Sequence, residues 1–315
     1  MSFTSEVKKQ ICLEDVDVQY GRAQLCALFL IRATMHMNWQ GMYLSFQIET
    51  ESIAKHVYSL LKMIYGVTPR MSVLKKMQLK KNNIYRIQVY DKAEEILEDL
   101  TILNETGLHY APNGNMLRAE KMARAFLQGA FLGSGSINDP VKSNYHLEIS
   151  CQEKELAKYI QKLMNRFYIP AKIIQRKNSY VVYVKQGDKI ADFLRLCGAS
   201  KALFSFEDFR MHRDILNQMT RLDNCELANE VKIINTGRKQ IEYIEAIEKN
   251  RNRFNKIPEK ILHAMEIRKE FPEASITELC YVMEERYEEK ISKSGMKHRL
   301  TKIKEMALSL EEEKQ

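Results

Sequence analysis

One pattern of apolar and polar positions occurs twice in the chain. The stretches Leu44–Tyr65 and Leu147–Tyr168 both begin with alternating apolar residues and then change to apolar residues three or four positions apart. Alternation indicates a half-buried strand, whereas the wider spacing indicates an amphipathic helix. With its flanking segments, each copy predicts helix, two strands, helix, two strands, helix, over residues 21–105 and 118–200. The pattern therefore predicts an α+β fold of two tandem, pseudo-symmetric halves that form a saddle.

The remaining segments have mainly helical spacing. Residues 1–20 contain a short N-terminal helix, and residues 201–250 predict a helical linker with long polar faces and little Gly or Pro. The last segment, residues 251–315, predicts three short helices, the second of which starts with the capping box Ser275–Glu278. Three short helices that end in a basic one are typical of a helix-turn-helix, which we place at residues 275–308.

The charge of the chain is uneven along its 315 residues. The net charge of +8 lies in residues 1–200, which hold 27 basic and 19 acidic residues, whereas residues 201–315 hold 22 of each. A second basic stretch nonetheless runs from Lys290 to Lys304, where six cations have no acid between them. Two separate basic surfaces predict a polyanion held at two places. The alternative is that both are ordinary solvated faces.

Composition argues against membrane, secreted and metal-dependent proteins. No apolar run approaches the roughly 20 residues that a membrane span needs, and the first 13 residues carry charges in place of a signal-peptide core. The six cysteines lie far apart, without a C-x-x-C pair or close histidines, which indicates reduced thiols and not zinc or disulfide chemistry. The sequence therefore predicts a soluble, cytoplasmic protein that has no cofactor and no metal.

The apolar helix of the second half ends in a run of small residues, Phe126–Ser136. This run resembles the LAGLIDADG motif of homing endonucleases. The resemblance implies two closely packed helices, each with an acid at its foot that binds the catalytic metal. The aligned positions of the motif, which is degenerate here, are Gly129, Leu132, Ser134 and Gly135.

The acids of that motif are missing from both halves. Leu132 and Ser134 stand at its two acidic positions, and neither provides an ionised oxygen for Mg²⁺. In the first half the counterpart lies near Ile31–Thr34, and no Asp or Glu occurs anywhere in residues 21–48. Metal-assisted hydrolysis of a phosphodiester needs carboxylates to place the ion and activate water. We therefore expect no enzymatic activity from this site.

The whole chain is similar to the bacterial WhiA family, which joins a degenerate double LAGLIDADG domain to a C-terminal helix-turn-helix. The resemblance implies a DNA-binding protein involved in transcription regulation of the sporulation type and in cell division or chromosome segregation. Departures at Tyr287–Lys290 and Met296–Lys297 leave the preferred DNA sequence open. The stretches that carry the resemblance are Gln47–Glu51, Gly129–Pro140, Asn224–Glu226, Arg238–Ile241 and Ser292–Leu300.

The third helix of the end domain is the candidate DNA-reading element. A recognition helix uses residues near its N-terminus for base edges, while cations beside them contact phosphates. Arg299 is the best candidate for a bidentate guanine contact. In the alternative interpretation, Leu300 and Ile303 pack in the core and the lysines are only solvated. The candidate DNA-binding residues are Ser292, Lys293, Ser294, Lys297, His298, Arg299, Lys302 and Lys304.

Basic side chains also lie in or beside the strands of the saddle. Alternation places only about half of them on the same face of a sheet. The candidates are Lys75, Lys76 and Arg86 in the first half and Lys172, Arg176 and Lys185 in the second, with Lys80, Lys81 and Lys177 beside them. A degenerate nuclease core can also become a protein-docking surface. Trp39, in the first predicted turn, is expected to pack and not to stack on a base.

The function predicted from these features is non-enzymatic binding of double-stranded DNA by a nucleoid-associated monomer, with the end domain supplying most of the specificity. A transcription or cell-division protein is a further expected partner. One alternative is a metal-dependent endonuclease that uses acids from elsewhere, such as Glu49, Glu51 or Glu148. Another is a scaffold whose saddle docks a protein while only its tail contacts DNA.

Overall fold

The chain forms two compact units, Met1–Arg213 and Asp214–Gln315. The computed structural model describes residues 2–39, 41–75, 83–105, 107–112, 114–254 and 256–312. Within these residues, no helix combines the length and the apolar character that crossing a membrane requires.

The first unit contains two copies of one mixed helix and strand arrangement behind a short N-terminal helix, α1 (Phe3–Ile11). The first copy consists of α2 (Val18–Arg32), β1 (Ala33–Asn38), β2 (Gly41–Ile48), α3 (Glu51–Tyr65), β3 (Arg70–Lys75), β4 (Asn83–Val89) and α4 (Ala93–Asp99). A small hairpin follows, made of β5 (Leu103–Asn104) and β6 (Gly107–Leu108). The second copy consists of α5 (Glu120–Ser134), β7 (Gly135–Ile137), β8 (Leu147–Cys151), α6 (Lys154–Arg166), β9 (Lys172–Arg176), β10 (Ser179–Val184) and α7 (Gly187–Leu196).

The two copies have the same sheet topology. The first sheet has the order β1-β2-β4-β3 and the second the order β7-β8-β10-β9, and the paired strands are antiparallel. Side chains alternate between the two faces, so that Leu44, Phe46 and Ile48 of β2 are buried against the helices. Leu147 and Ile149 of β8 do the same in the second sheet. The duplicated α+β fold predicted from the sequence is confirmed, and the opposite face of each sheet carries mainly polar and aromatic side chains.

Helices α2 and α5 begin the two copies and pack directly against each other. Gly129 makes this close approach possible, because a Cβ atom there would lie 2.3 Å from the main-chain oxygen of Gln24. At the same crossing, the side-chain amide of Gln24 donates to Oε1 of Gln128 over 2.8 Å. Both glutamines are buried. The small residue is therefore required by helix packing, as the LAGLIDADG resemblance implies.

A chain of buried polar side chains extends from this crossing. Nε2 of His56 lies 2.8 Å from Oε1 of Gln24, and the amide of Gln128 donates to Glu14 and to the main-chain oxygen of Cys197. Burial lowers the pKa of His56 to about 4, so its imidazole is neutral at pH 7. Because Oε1 of Gln24 only accepts, Nε2 of His56 carries the proton in this bond.

Helix α1 covers the outer edge of the second sheet. Its Phe3, Val7 and Ile11 are buried in the core. On the side towards β7, Oγ1 of Thr4 donates to the main-chain oxygen of Ile137 over 2.8 Å and accepts from its N–H over 3.0 Å. The Thr4 hydroxyl thus hydrogen-bonds both the N–H and the C=O of Ile137, a residue of the edge strand β7.

The second unit is helical. Its core joins the C-terminal part of α8 (Ser200–Lys249) to three shorter helices, α9 (Glu259–Glu270), α10 (Ile276–Tyr287) and α11 (Lys293–Glu312). The Arg268 guanidinium is buried and donates to the main-chain oxygens of residues 271, 272 and 274, which fixes the turn before α10. The capping box predicted at the start of α10 is confirmed, with both the Ser275 and the Glu278 side chains bonded to backbone N–H groups.

Candidate nucleic-acid interface

Helix α11 carries a row of exposed lysines directly beside its buried apolar side chains. Met296, Leu300 and Ile303 are buried against α9 and α10. Lys293, Lys297 and Lys304 are exposed. Intervals of four and seven residues bring side chains to the same side of an α-helix, so these three lysines form one row. The sequence did not single out Thr301, which is exposed between Lys297 and Lys304 in this row.

Arg299 does not belong to that row, contrary to the expectation of a guanine contact. Its side chain is 12% exposed and forms a two-point ion pair with Glu289, in which Nη1 donates to Oε2 over 3.0 Å and Nη2 to Oε1. Nη1 also lies 3.3 Å from the main-chain oxygen of Lys260. The guanidinium is therefore used within the fold, and we correct its predicted role from base reading to holding α11.

The remaining candidates on α11 have different positions. Oγ of Ser292 accepts from the N–H of Gly295 over 3.2 Å and lies 2.9 Å from Oγ of Ser294, so Ser292 caps the helix. His298 is exposed one residue beyond Lys297, about 100° around the helix axis. Lys302 is also exposed, but it lies about 140° from Lys297. The structure thus brings together the three lysines of the row and leaves Lys302 on another side.

The polar face of the first sheet carries aromatic and basic side chains. Arg86 stands opposite Gln47 and Ser72 in the strand register, on the polar face. Further along the same face, the His36 and Tyr43 rings stack with centroids 4.8 Å apart, and the guanidinium of Arg70 lies 5.0 Å from the Tyr90 centroid. Lys76, Lys80 and Lys81 lie outside the described residues, as does the side chain of Lys75.

The polar face of the second sheet brings three predicted cations around one tyrosine and one carboxylate. Lys172 is paired with Tyr183 in the register, and Nζ of Lys185 lies 5.4 Å from the centroid of the same ring. Arg176 donates to Glu148 over 3.0 Å, and the Glu148 carboxylate also lies 3.1 Å from Nε2 of His146. Lys177 is exposed in the neighbouring turn, with a φ of 50°. Glu148 therefore offsets part of the positive charge of this face.

The C-terminal ends, or feet, of the paired helices α2 and α5 lie within the described residues. They carry a guanidinium and a hydroxyl in place of carboxylates. Ser134 donates its hydroxyl to the main-chain oxygen of Ser150, and Leu132 is buried. The corresponding residue at the foot of α2 is Arg32, since Ala33 and Gly135 are the equivalent C-caps of the two helices. Nε of Arg32 donates to the main-chain oxygen of Gly133, which joins the two feet. The missing acids were predicted from the sequence, whereas no role was predicted for Arg32.

The acids considered for an alternative nuclease are dispersed. Glu51 pairs with Lys55 over 2.7 Å in the first turn of α3, and Glu148 lies on the second sheet. Glu49 lies beside a small cavity near the foot of α2. Among the described residues, no cluster of three or more His, Cys, Asp or Glu side chains is arranged to hold a metal ion.

The β1–β2 turn presents an apolar tip. Trp39 is 89% exposed and Met37 is 74% exposed. The expectation that Trp39 packs was wrong: residues 34–39 are all exposed, so this end of the hairpin is not covered by the core. The two side chains together leave a small apolar patch exposed at this tip.

Two tandem α+β halves with paired small-residue helices, followed by a helical end domain with a basic third helix, define a double LAGLIDADG-like protein with a C-terminal helix-turn-helix. Family profiles match the same parts: the WhiA N-terminal LAGLIDADG-like domain over residues 19–103, the WhiA LAGLIDADG-like domain over residues 123–216, and the WhiA C-terminal HTH domain over residues 219–307. The chain belongs to the WhiA family, and the resemblance found in the sequence is confirmed.

Relatives span nearly the whole chain. A protein named probable cell division protein WhiA in Staphylococcus aureus strain JH9 is 39% identical over 307 residues, covering 98% of this chain and 96% of its own. The protein of the same name in strain Newman shows the same values. The crystal structure of full-length WhiA from Thermotoga maritima covers 98% of this chain and 99% of its own, with 21% identity and a TM-score of 0.58. That likeness supports the fold.

Proposed function

We propose that this protein binds double-stranded DNA without cleaving it, and that the lysine row of α11 makes the main contact. The observation that carries the proposal is the exposed row of Lys293, Lys297 and Lys304, which runs along α11 beside its buried residues. A helix of this kind enters the major groove of DNA, with residues near its N-terminus at base edges and later cations at phosphates. Thr301 joins the proposed contact set, and Arg299 leaves it.

The polar faces of the two sheets form a second proposed contact. Arg86, Lys172, Arg176 and Lys185 are positioned on or beside these faces. Two sheets of equal topology suit the two-fold symmetry of duplex DNA. Because Glu148 neutralises part of the second face, we expect these sheets to add less affinity than α11.

The absence of cleavage is proposed from the chemistry of the helix feet. Arg32 and Ser134 occupy the positions at which a nuclease of this build would hold metal ions, and a guanidinium repels such ions. Supercoiled plasmid incubated with the protein and Mg²⁺ or Mn²⁺ should remain intact. Nicking that grows with time and protein concentration would instead support the endonuclease alternative.

The cellular role is proposed from the family. Proteins of the WhiA family are named probable cell division proteins, and a helix-turn-helix suits site-preferring DNA binding. We therefore propose a nucleoid-associated monomer in the cytoplasm that acts as a transcriptional regulator of the sporulation type, in cell division, or in chromosome segregation.

The experiment that tests DNA binding is a salt titration. Replacing Lys293, Lys297 and Lys304 with alanine should weaken binding and lower the slope of log Kd against log salt by up to about three, since each phosphate contact contributes about one. Lys302→Ala is the matched control, because its side chain lies on another side of the same helix, and it should change the slope least. An unchanged slope in the triple variant would refute the proposed role of α11.

The same titration examines the scaffold alternative, which the exposed Trp39 favours as a protein-docking residue. If the sheets bind DNA, the triple variant retains a weak, salt-dependent affinity. If the saddle docks only a protein, almost no affinity remains. Adding Arg86→Ala and Lys172→Ala to the triple variant should remove the remainder, which assigns it to the polar faces of the sheets.

A further inference from the structure

A small cavity lies at the feet of the paired helices. It is lined by parts of α1, α2 and α5 and by the segment that joins β2 to α3, opens to solvent at the exposed Arg32, and has a volume of about 110 Å³. Since roughly 10–15 Å³ is enough for one water molecule, the cavity has room for a small tetrahedral anion. Its polar lining consists of Lys8, Arg32, Gln47, Glu49 and Thr50.

Lys8 is a cation with no counter-ion among the described residues. Its Nζ lies 5.6 Å from the centroid of the Phe131 ring, and in the described part of the chain no carboxylate lies within 4.0 Å of it. Burial, and after it the charge of Arg32, lower the pKa of Lys8 to about 8. Lys8 is half-buried, and partial removal of an unpaired ammonium group from water disfavours its charged form. A group that is partly desolvated and unpaired is a candidate for ligand binding.

Arg32 supplies a second cation with a fixed orientation. Its Nε donates to the main-chain oxygen of Gly133, while the two terminal nitrogens make no hydrogen bond to any group that the structure describes. These two nitrogens are the pair that binds carboxylate and phosphate oxygens at two points. The bond to Gly133 thus holds the guanidinium ready for an anion.

The other charges around Lys8 do not cancel these two cations. Burial raises the pKa of the Cys12 thiol, at the C-cap of the same helix, to about 12, so the thiol is neutral. Glu49 is the one carboxylate among the described lining residues. Two cations against one carboxylate leave the cavity positive, and the amide of Gln47 and the hydroxyl of Thr50 add neutral donors.

We propose that this cavity binds a phosphate ester through Lys8 and Arg32, which makes the former catalytic centre an anion site. The phosphate can come from the DNA backbone or from a free phosphorylated small molecule. In the first case the inference rests on the proposed function and deepens it, because two fixed cations at the helix feet would hold a DNA phosphate without activating water.

The first experiment measures the binding of inorganic phosphate to the full chain by isothermal titration calorimetry. Wild type should show saturable binding, and Lys8→Met and Arg32→Met should each weaken it at least about tenfold. Lys9→Met, an exposed lysine on the same helix, is the matched control and should leave binding unchanged. Lys8→Met keeps the half-buried apolar length of the side chain, so its melting temperature should not fall and its loss of binding would not reflect unfolding.

A second measurement tests whether binding depends on the protonated, charged form of Lys8. Sulfate is used because it does not itself titrate near neutral pH. Binding needs charged Lys8, so sulfate affinity should fall about tenfold between pH 7 and pH 9 in wild type. Lys8→Arg should bind sulfate with no such fall. Absence of saturable phosphate binding, or a pH dependence that survives in Lys8→Arg, would overturn the assignment.

Duplex DNA distinguishes the two sources. If the occupant is a backbone phosphate, saturating DNA abolishes phosphate binding, and Lys8→Met lowers the salt slope by about one. If it is a free small molecule, phosphate binds equally well in the presence of DNA. Phosphate binding without DNA binding would defeat the proposed function and leave this site standing. DNA binding with no phosphate binding would defeat the site alone.

Discussion

Arg299 and Glu289 join the third helix of the end domain to the turn that precedes it. The ion pair is largely buried on the arginine side, and the hydrogen bond from Arg299 holds the pKa of the Glu289 carboxyl below its usual range. Neighbouring contacts fix the end of α10, since the Tyr287 ring stacks on His263 with centroids 3.8 Å apart. At the scale of single residues, the turn therefore sets how α11 presents its lysines.

We predict that Glu289→Gln destabilises the end domain by about 1–3 kcal/mol, because it leaves a mostly buried guanidinium without its counter-ion. A carboxyl whose pKa is lowered by folding adds stability above its ordinary pKa of about 4.3 and loses it as the pH falls through the folded value. The variant should therefore lose less stability than wild type on acidification. Urea unfolding at pH 7 and below pH 4 measures the free energy of unfolding of wild type and variant, with Glu288→Gln, at an exposed site, as the control. Equal stability of both variants at pH 7 would contradict it.

His56 gives a second pH dependence of stability, in which folding favours the neutral form of the group and not the charged form. Its folded pKa of about 4 lies below the ordinary value of 6.5, so the neutral form is the one that folding favours. Stability should be complete above pH 6.5 and should fall by about 3 kcal/mol as the pH drops to 4. His56→Gln, which keeps a donor for Gln24, should remove this component. His212→Gln, at an exposed site on α8, should retain it in the same denaturation series.

At the scale of elements, the contact between α2 and α5 sets the geometry of the whole first unit. Both sheets follow directly from the C-termini of these helices. The relation of the two feet, and of Arg32 to Gly133, therefore depends on how closely the helices approach.

We predict that Gly129→Ala destabilises the first unit by about 1–3 kcal/mol or prevents its folding, because the added methyl group would meet the backbone of Gln24. Gly114→Ala is the matched control, since its φ is not positive and no atom of the described residues lies within 4 Å of the Cβ that alanine would add. Thermal and urea unfolding of both variants check the prediction. A Gly129→Ala protein as stable as the control would show that the helices tolerate a wider separation.

At the scale of the whole molecule, the sequence was most informative where periodicity determines structure. The duplicated sheets, the helices that cover them and the capping box at Ser275 all follow from local spacing and local hydrogen bonding. The cationic row on α11 follows from the same spacing once the start of the helix is known.

The remaining features depend on tertiary contacts that local spacing does not encode. Arg299 was misassigned because its partner, Glu289, lies in a turn of irregular backbone, where Glu288 has a φ of 54°. The proximity of Lys8 to Arg32 arises from the docking of α1, and Trp39 is exposed because its end of the hairpin is not covered by the core. Sequence spacing predicts which residues share an element, but not which elements meet.

The double hydrogen bond between Thr4 and Ile137 has a consequence for solubility. An open strand edge is a template on which another polypeptide can add a strand, and folded proteins commonly blunt or cover such edges. Here a single hydroxyl and the apolar side of α1 close the edge at β7. Proteolytic loss of the first dozen residues would therefore expose both the unpaired backbone groups of β7 and the apolar surface that α1 covers. We expect the truncated protein to aggregate.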